Sequence, residues 1–375
     1  MKICSIIAEY NPLHTGHSFH LQEVKKFADL IVIILTSDIT QRGEFAMFSK
    51  FCRAKAALLQ GANIVLELPA IFSCSSAENF AHGAMKIVKE LKFVNCLSFG
   101  SEDGNINNII KTAKICRNIE KTNIMQRFLK KGLSYPKARQ LAVGEMGKIL
   151  KCPNNTLGVE YVKAAMNLKI PISFHTIKRI GASHNSEKIK TTASSSFLRK
   201  NIDNFEKIKK FIPENVLDLF NKPIKIPKEF VFNSLRQTTK TEFLNLPDTT
   251  EGLHNRLFNA SRNAKSLEEF FNIAKTKRYT LSRLKRISIY SFLKLNKKQM
   301  PKLPQYSFVL GFDKLGQKLL SKCKNKNFLI TTNFKKINNN FSYSAKIDST
   351  VTDFVSLFFN PQPCGINFKQ KPIIF

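Results

Sequence analysis

The chain has 375 residues, enough for two or three domains, and 43% of them are hydrophobic, which excludes a disordered polar chain. Lys and Arg number 60 against 27 acids, a formal net charge of +33 that suits a polyanionic partner such as nucleic acid or a membrane surface. No apolar run approaches the ~18 residues of a membrane span, and the opening MKICSIIAEYNPLH is apolar for too few residues to be a signal peptide. The eight cysteines are scattered without a CxxC pair, so the expectation is a soluble cytoplasmic protein with free thiols.

Taken in order, residues 2–8, 30–36, 63–68, 94–99 and 172–177 are short runs rich in Ile, Val and Phe, bounded by polar or Gly-containing segments, and read as buried strands. Residues 17–28, 50–61 and 77–92 between them carry helical spacing. Strand–helix–strand repetition implies right-handed crossovers and a parallel sheet covered on both faces, with ligands at the carboxyl ends of its strands. Past residue 201 the texture changes. Residues 203–220 and 251–300 read as helical, and LEEFFNIAKTKRYTLSRLKRISIYSFLKL is the longest periodic stretch. After Pro301 and Pro304 come YSFVLGF, KLGQKLLSKC and NFLITTN, a β-α-β-like unit, and then an irregular tail. The expected architecture is therefore α/β: a Rossmann-like parallel-sheet domain over 1–200, a basic, mainly helical region over 201–302, and a small C-terminal α/β unit over 303–375.

The most informative segment is IAEYNPLHTGHSFH, Ile7 to His20, which leaves the first strand and enters the first helix through His14-Thr15-Gly16-His17. A helix N-terminus offers unpaired N–H groups and a positive dipole end, suited to phosphate. Gly16 lets the backbone come close to a ligand. His14 and His17 can aim at the same phosphates and donate to charge developing during displacement at an α-phosphorus. His20 follows on the same helical face and reads as a packing residue. His82, His175, His184 and His254 lack metal-ligand partners at useful spacing, so no metal site is expected.

The basic excess is not evenly spread. Between Glu269 and Asp348 the only acid is Asp313, while the same interval holds 18 Lys and Arg, including Lys275, Lys277, Arg278, Arg283, Lys285 and Arg286, with Tyr279 and Tyr290 among them. On one continuous helix the 275/278/282/286 and 279/283/286/290 rows form neighbouring faces. A basic helical face interleaved with aromatics can track an RNA backbone and stack an unpaired base.

HxGH after the first strand resembles the nucleotidylyltransferase superfamily, which shares its fold and motif with class I aminoacyl-tRNA synthetases. The wider set EYNPLHTGH, TSDITQRGEFAMFSK, ANIVLELPAIFSCSSAENFAHGA, LSFGSE, PNNTLGVEYVKA, EGLHNRLFNA, TKRYTLSRLKRI, LGFDKLGQKLL and KIDSTVTDFVSLFFN spans nearly the whole chain. It resembles the tRNA(Met) cytidine acetate ligase family. That resemblance implies a HUP-type sheet domain that binds ATP, with Mg2+, and uses acetate to make acetyl-adenylate. The acetyl group then passes to N4 of the wobble cytidine in the anticodon arm of elongator tRNA(Met). The resemblance implies no stable protein partner.

By the same resemblance, His14 and His17 are catalytic, and ATP is held by the segment Ile7, Ala8, Glu9, Tyr10, Asn11, Pro12, Leu13, His14, Thr15, Gly16, His17, Ser18, Phe19 and His20. Gly100 in FGSE, Arg179 in TIKRIGA and an Asn of Pro153-Asn154-Asn155, with Asn154 preferred, complete the nucleotide site. Ala193-Ser194-Ser195-Ser196-Phe197-Leu198-Arg199 matches the superfamily's serine turn, in which Ser195 and Arg199 hold the outer phosphates. Gln41-Arg42-Gly43-Glu44 also matches, and Arg42 has three open readings: a phosphate contact, a tRNA contact or a helix cap. One departure stands out. The family carries an aromatic and an acidic residue around the His after R-x-G-A, and this chain has Ala182-Ser183-His184-Asn185.

Two alternatives compete. A small-molecule adenylyltransferase shares HTGH and the serine turn but has no use for a basic helical region. A non-catalytic RNA-binding protein has no use for His14, His17 and Arg199 together. The sequence contains no GxG, which argues against an acetyl-CoA pyrophosphate loop and for free acetate plus ATP.

Overall fold

The computed structural model describes residues 1–120, 122–179, 193–250, 252–323 and 327–375. Its centre is a parallel sheet of β1 (Ile3–Ala8), β2 (Leu30–Thr36), β3 (Ile64–Leu68), β4 (Cys96–Ser101) and β5 (Ser173–Lys178), in the spatial order β5-β4-β1-β2-β3. β1 pairs with β2 from Ile3↔Leu30 to Ala8↔Leu35. Every residue of β2 and β3 is buried, which is why these strands read as unbroken apolar runs rather than alternating ones. Alternate side chains feed two cores. Ile3, Val32, Ile34 and Leu66 pack on one face with the helices Ala77–Leu91 and Pro153–Leu168. Ile6, Ile31, Ile33 and Val65 pack on the other with Thr15–Lys25 and Lys50–Leu59. The chain runs from β1 to β2 on one side and later returns to place β4 on the other, so a crevice opens at the carboxyl end of β1.

The stretch 303–375, expected as a small unit of its own, continues this sheet. β6 (Tyr306–Phe312) pairs antiparallel with β3, and both β7 (Leu329–Thr331) and β8 (Ile373–Ile374) pair parallel with β6. The physical reason is burial. All seven residues of β6 are covered, and an isolated two-strand ladder could not cover them. Polar contacts tie it in. Ser307 Oγ donates to the Glu67 carbonyl at 2.7 Å, and Asp348 accepts from Tyr306 Oη at 2.5 Å and from the Ala70 N–H at 2.7 Å.

The helical region also differs from its expected form. The stretch 251–300, read as helical, forms three helices, Leu253–Asn263, Leu267–Ala274 and Leu281–Phe292, and the long periodic run within it is broken. Ser and Thr make the breaks. Ser266 Oγ caps the second helix through Glu269 N, and Thr280 Oγ1 caps the third through Arg283 N. Thr276 Oγ1 accepts from the N–H groups of Arg278 and Tyr279, closing a turn where the helix would have run on. The 275/278/282/286 row therefore does not exist as a helical face. Among the described residues no helix is long and apolar enough to cross a membrane.

Arg53 is the central tie of the strand ends. Fully buried, it donates from Nη1 to the Glu9 carbonyl (2.8 Å) and to Thr36 (3.2 Å), from Nη2 to the Ser37 carbonyl (2.7 Å) and from Nε to the Phe48 carbonyl (2.9 Å). Asp38 lies 3.6 Å away as its counter-ion. Removing one partner of a buried charged pair strands the other, so Arg53→Ala is expected to lower the free energy of unfolding by about 3–5 kcal/mol. Urea denaturation followed by circular dichroism measures it.

Candidate active site

Between β1 and the Thr15–Lys25 helix the backbone makes a sharp passage, with Tyr10 at φ 47° and a cis Asn11-Pro12 bond. Asn11 Oδ1 accepts from Met47 N at 2.8 Å, fastening the passage to the loop after β2. The helix then begins on a reciprocal cap built from two histidines. His14 Nδ1 accepts from Gly16 N at 3.1 Å, and His17 Nδ1 accepts from His14 N at 3.3 Å. The rings stack, 3.7 Å between centroids, and Tyr10 meets His17 edge-on at 5.0 Å. A Cβ on Gly16 would sit 3.0 Å from His14 Cε1, so the glycine keeps room for the ring.

This cap fixes the protons. With each Nδ1 accepting from a backbone N–H, the neutral rings carry hydrogen on Nε2. Burial, then the nearby Arg179 and Arg199 charges, push His14 down to about 3. Burial, then His14 and Arg179, hold His17 well below the usual imidazole range. Both are thus neutral donors at pH 7. His14 Nε2 stands 3.0 Å from Ser195 Oγ, which brings the serine turn to the histidines across the crevice. Arg199, on the same short helix Ser195–Lys200, reaches back to the Asn11 carbonyl at 3.4 Å.

The other side of β1 carries the remaining expected residues. Gly100 lies in β4, where an added Cβ would be 3.3 Å from Arg179 Cγ, and the Arg179 N–H bonds to the Ser101 carbonyl at 2.9 Å. Asn154 Nδ2 donates to Glu102 at 2.6 Å, while the carboxylate also accepts from Asn155 N at 2.9 Å at the start of the Pro153–Leu168 helix. Asn155 is buried and its Oδ1 accepts from Glu102 N and Asp103 N, so it shapes the loop after β4 while Asn154 stays partly exposed. His20 faces Ser98 Oγ at 2.9 Å beneath the crevice, in a packing position. Phe19 is solvent-exposed, whereas Tyr10, Asn11, Leu13 and Ser18 are buried in the wall. The segment Ala182-Ser183-His184-Asn185 lies outside the described residues.

Arg53 and Glu102 escaped the sequence reading, and Asn155 was named only as the less favoured of two neighbours. Glu102 adjoins the FGSE glycine, which was a usable signal. Nothing in FCRAKAALL distinguishes a buried Arg from one whose head reaches solvent.

The expected basic residues divide. Lys275 and Lys277 are exposed on the turn before the Leu281–Phe292 helix. Arg278 is half-buried and donates to the Leu129 carbonyl at 3.3 Å. Arg283 donates to the Asp248 carbonyl at 3.0 and 2.6 Å, and Lys285 pairs with Glu44 at 2.5 Å. Arg286 is only 8% exposed, 3.8 Å from Asp248. Arg283, Lys285 and Arg286 hold the fold together, a role the charge run alone did not separate from RNA contact. A cavity of about 410 Å³ lined by Lys25, Asn63 and Asp313 lies at the opposite, amino end of β2 and β3, away from the histidines.

Because an unfolded histidine takes its proton near 6.5 and folded His14 refuses it until about 3, folding stability is expected to fall as pH drops through that window. His14→Gln should flatten that slope, checked by urea denaturation at pH values between the two.

A model of the HIGH Nucleotidyl Transferase family matches residues 1–371. The tRNA(Met) cytidine acetate ligase of Clostridium novyi (strain NT) is 34% identical over 399 residues, covering 100% of this chain and 99% of the relative. That of Caldicellulosiruptor saccharolyticus is 37% identical over 395 residues, covering 100% and 98%. The crystal structure of Thermotoga maritima TmcAL bound with alpha-thio ATP matches at TM-score 0.90 and 30% identity, over 100% of both chains. With its histidine-capped crevice at the head of a parallel sheet, the chain belongs to the tRNA(Met) cytidine acetate ligase family of HIGH nucleotidyl transferases.

Proposed function

We propose that this protein activates acetate with ATP and acetylates N4 of the wobble cytidine of elongator tRNA(Met), in the cytoplasm. The observation that carries the reading is the convergence of two neutral Nε2–H donors, His14 and His17, with Ser195 and Arg199 on one side and Arg179 on the other.

In the first step a carboxylate oxygen of acetate attacks the α-phosphorus and the bond to the bridging oxygen breaks, releasing pyrophosphate. Charge grows on the phosphoryl oxygens, and the two imidazoles donate to it without rearranging, since their own cap already fixes ring angle and tautomer. Ser195 and Arg199 take the departing phosphates. Gly100, Asn154 and Arg179, gathered at the ends of β4 and β5, would receive the adenosine end. Mg2+ entering on the triphosphate would shield its charge. Among the described residues no cluster of His, Cys, Asp or Glu could cage a metal, which fits an ion held chiefly by phosphate and water. In the second step the cytidine amine attacks the acetyl carbon, AMP leaves, and the amine gives up a proton. The wobble base is unpaired, so entering the crevice breaks no base pair.

His14→Ala and His17→Ala are each expected to reduce acetate-dependent pyrophosphate release by ~10²–10³-fold while leaving tRNA affinity nearly intact. Labelled acetate with ATP and bulk tRNA should yield N4-acetylcytidine, indifferent to coenzyme A, and a requirement for coenzyme A would refute the donor assignment. Neutralising the exposed Lys275 and Lys277 together should weaken tRNA binding and lower its salt slope by about 2. Arg286→Ala should instead show as lost stability, in thermal melts.

A further inference from the structure

The Gln41-Arg42-Gly43-Glu44 motif sits on a tight turn after β2 whose geometry is unusually determined. Ile39 bridges Phe45, Thr40 N donates to the Glu44 carbonyl at 2.8 Å, and Gly43 N returns to the Thr40 carbonyl at 3.1 Å. One flank is fastened to the crevice. Gln41 N donates to Glu9 Oε1 at 2.9 Å, and Gln41 Nε2 to the Ser75 carbonyl at 3.0 Å. The other flank rests on the basic helix. Gly43, at φ +77°, lies so close that a Cβ would stand 2.4 Å from Arg286 N, and Glu44 pairs with Lys285. Thr40, Gln41 and Glu44 thus spend their side chains within the protein. Arg42 is exposed and makes no hydrogen bond or ion pair among the described residues.

We propose that Arg42 is an RNA-binding residue, held by this turn at the lip of the nucleotide crevice to grip a backbone phosphate beside the target base. The inference rests on the function proposed above and adds a residue to it. Three observations favour RNA over the phosphates of ATP. The turn grows from β2, whereas Gly100, Asn154 and Arg179 gather at β4 and β5 on the far side of β1. The turn's flank toward the crevice is already taken up by Gln41, whose N–H donates to Glu9 Oε1, which leaves Arg42 as the turn's outward-facing side chain. The turn's back is the helix that follows the exposed Lys275 and Lys277. Arg42 is nevertheless close to the reaction. Burial, opposed by Glu9, and then the charge of Arg42 keep the Arg199 guanidinium below its usual value.

The test uses the full chain and the variants Arg42→Ala and Arg42→Lys. Two quantities are read: acetate-dependent ATP–pyrophosphate exchange without RNA, and binding of a tRNA(Met) anticodon stem-loop across a salt series. The expected result for Arg42→Ala is a ~10-fold rise in the stem-loop Kd and a salt slope lower by about 1, with the KM values for ATP and acetate in the exchange within ~2-fold of the parent. Arg42→Lys should restore the slope but only part of the affinity, because a lysine gives one point contact where arginine gives a fork. A raised KM for ATP or for acetate would overturn the proposal in favour of a small-substrate contact. Unchanged stem-loop binding by Arg42→Ala would overturn it too. If the parent protein itself neither exchanges pyrophosphate with acetate nor binds the stem-loop, it is the underlying function that fails.

Discussion

The candidate site depends on a helix N-terminus capped by the two histidines proposed to act as its donors. Most helices end on a Ser, Asp or Asn oxygen, which leaves the capping residue free of further duty. Here His14 and His17 each spend Nδ1 on a backbone N–H of the other's turn, and that single choice decides three things together. It stacks the rings, it places the remaining proton of each on Nε2, and it removes the rotational freedom that a catalytic donor would otherwise have to lose. Desolvation does the rest by keeping both rings uncharged, so that they act as hydrogen-bond donors rather than as cations. The positive charge near the rings comes instead from Arg179 and Arg199. Donor geometry and net charge are thus supplied by different residues.

Holding that cap in place requires the strand ends to be rigid, and Arg53 explains how. A guanidinium has donors in a fixed fork, and this one spends them on the carbonyls that follow β1 and β2 rather than on a ligand. The carboxyl ends of two parallel strands, whose last carbonyls would otherwise point into a ligand cleft unpaired, are locked into one frame. β6 does the equivalent work at the far edge. By pairing with β3 it removes an exposed sheet edge and brings Asp348 to the Ala70 N–H, so the C-terminal stretch supports the central sheet.

Much of this was legible in the sequence, and the reasons are physical. The parallel strands were found within a residue or two; β2 and β3, buried throughout, show why as unbroken apolar runs, whereas β5, expected as buried, is a partly exposed edge strand. His14, His17, Gly100, Arg179, Ser195 and Arg199 stood out as candidates because they lie near the carboxyl ends of strands or on helices that start there. What could not be read were partnerships. LEEFFNIAKTKRYTLSRLKRI has helical periodicity throughout, yet Thr276 and Thr280 offer the backbone a competing set of bonds, and the helix breaks between Ala274 and Leu281. The charge run likewise could not say which cations face water. Asp248 and Glu44 lie far away in sequence, and only the folded chain shows that they claim Arg283, Arg286 and Lys285.

That redistribution changes what the +33 charge means. Cations paired within the fold cannot release counterions when RNA arrives, so they contribute little to a salt-dependent affinity. The productive charges are the exposed ones at the edges of the helical region, and the paired ones build the wall on which the 39–45 turn leans. A loop braced on one side by Glu9, at the mouth of the nucleotide crevice, and on the other by the backbone of the Leu281–Phe292 helix cannot move independently of either. The parallel sheet and the basic helical region are therefore not two domains joined by a linker. They share one rigid seam, which in the proposed reaction fixes how far an extruded base must travel to reach the acetyl carbon of the adenylate.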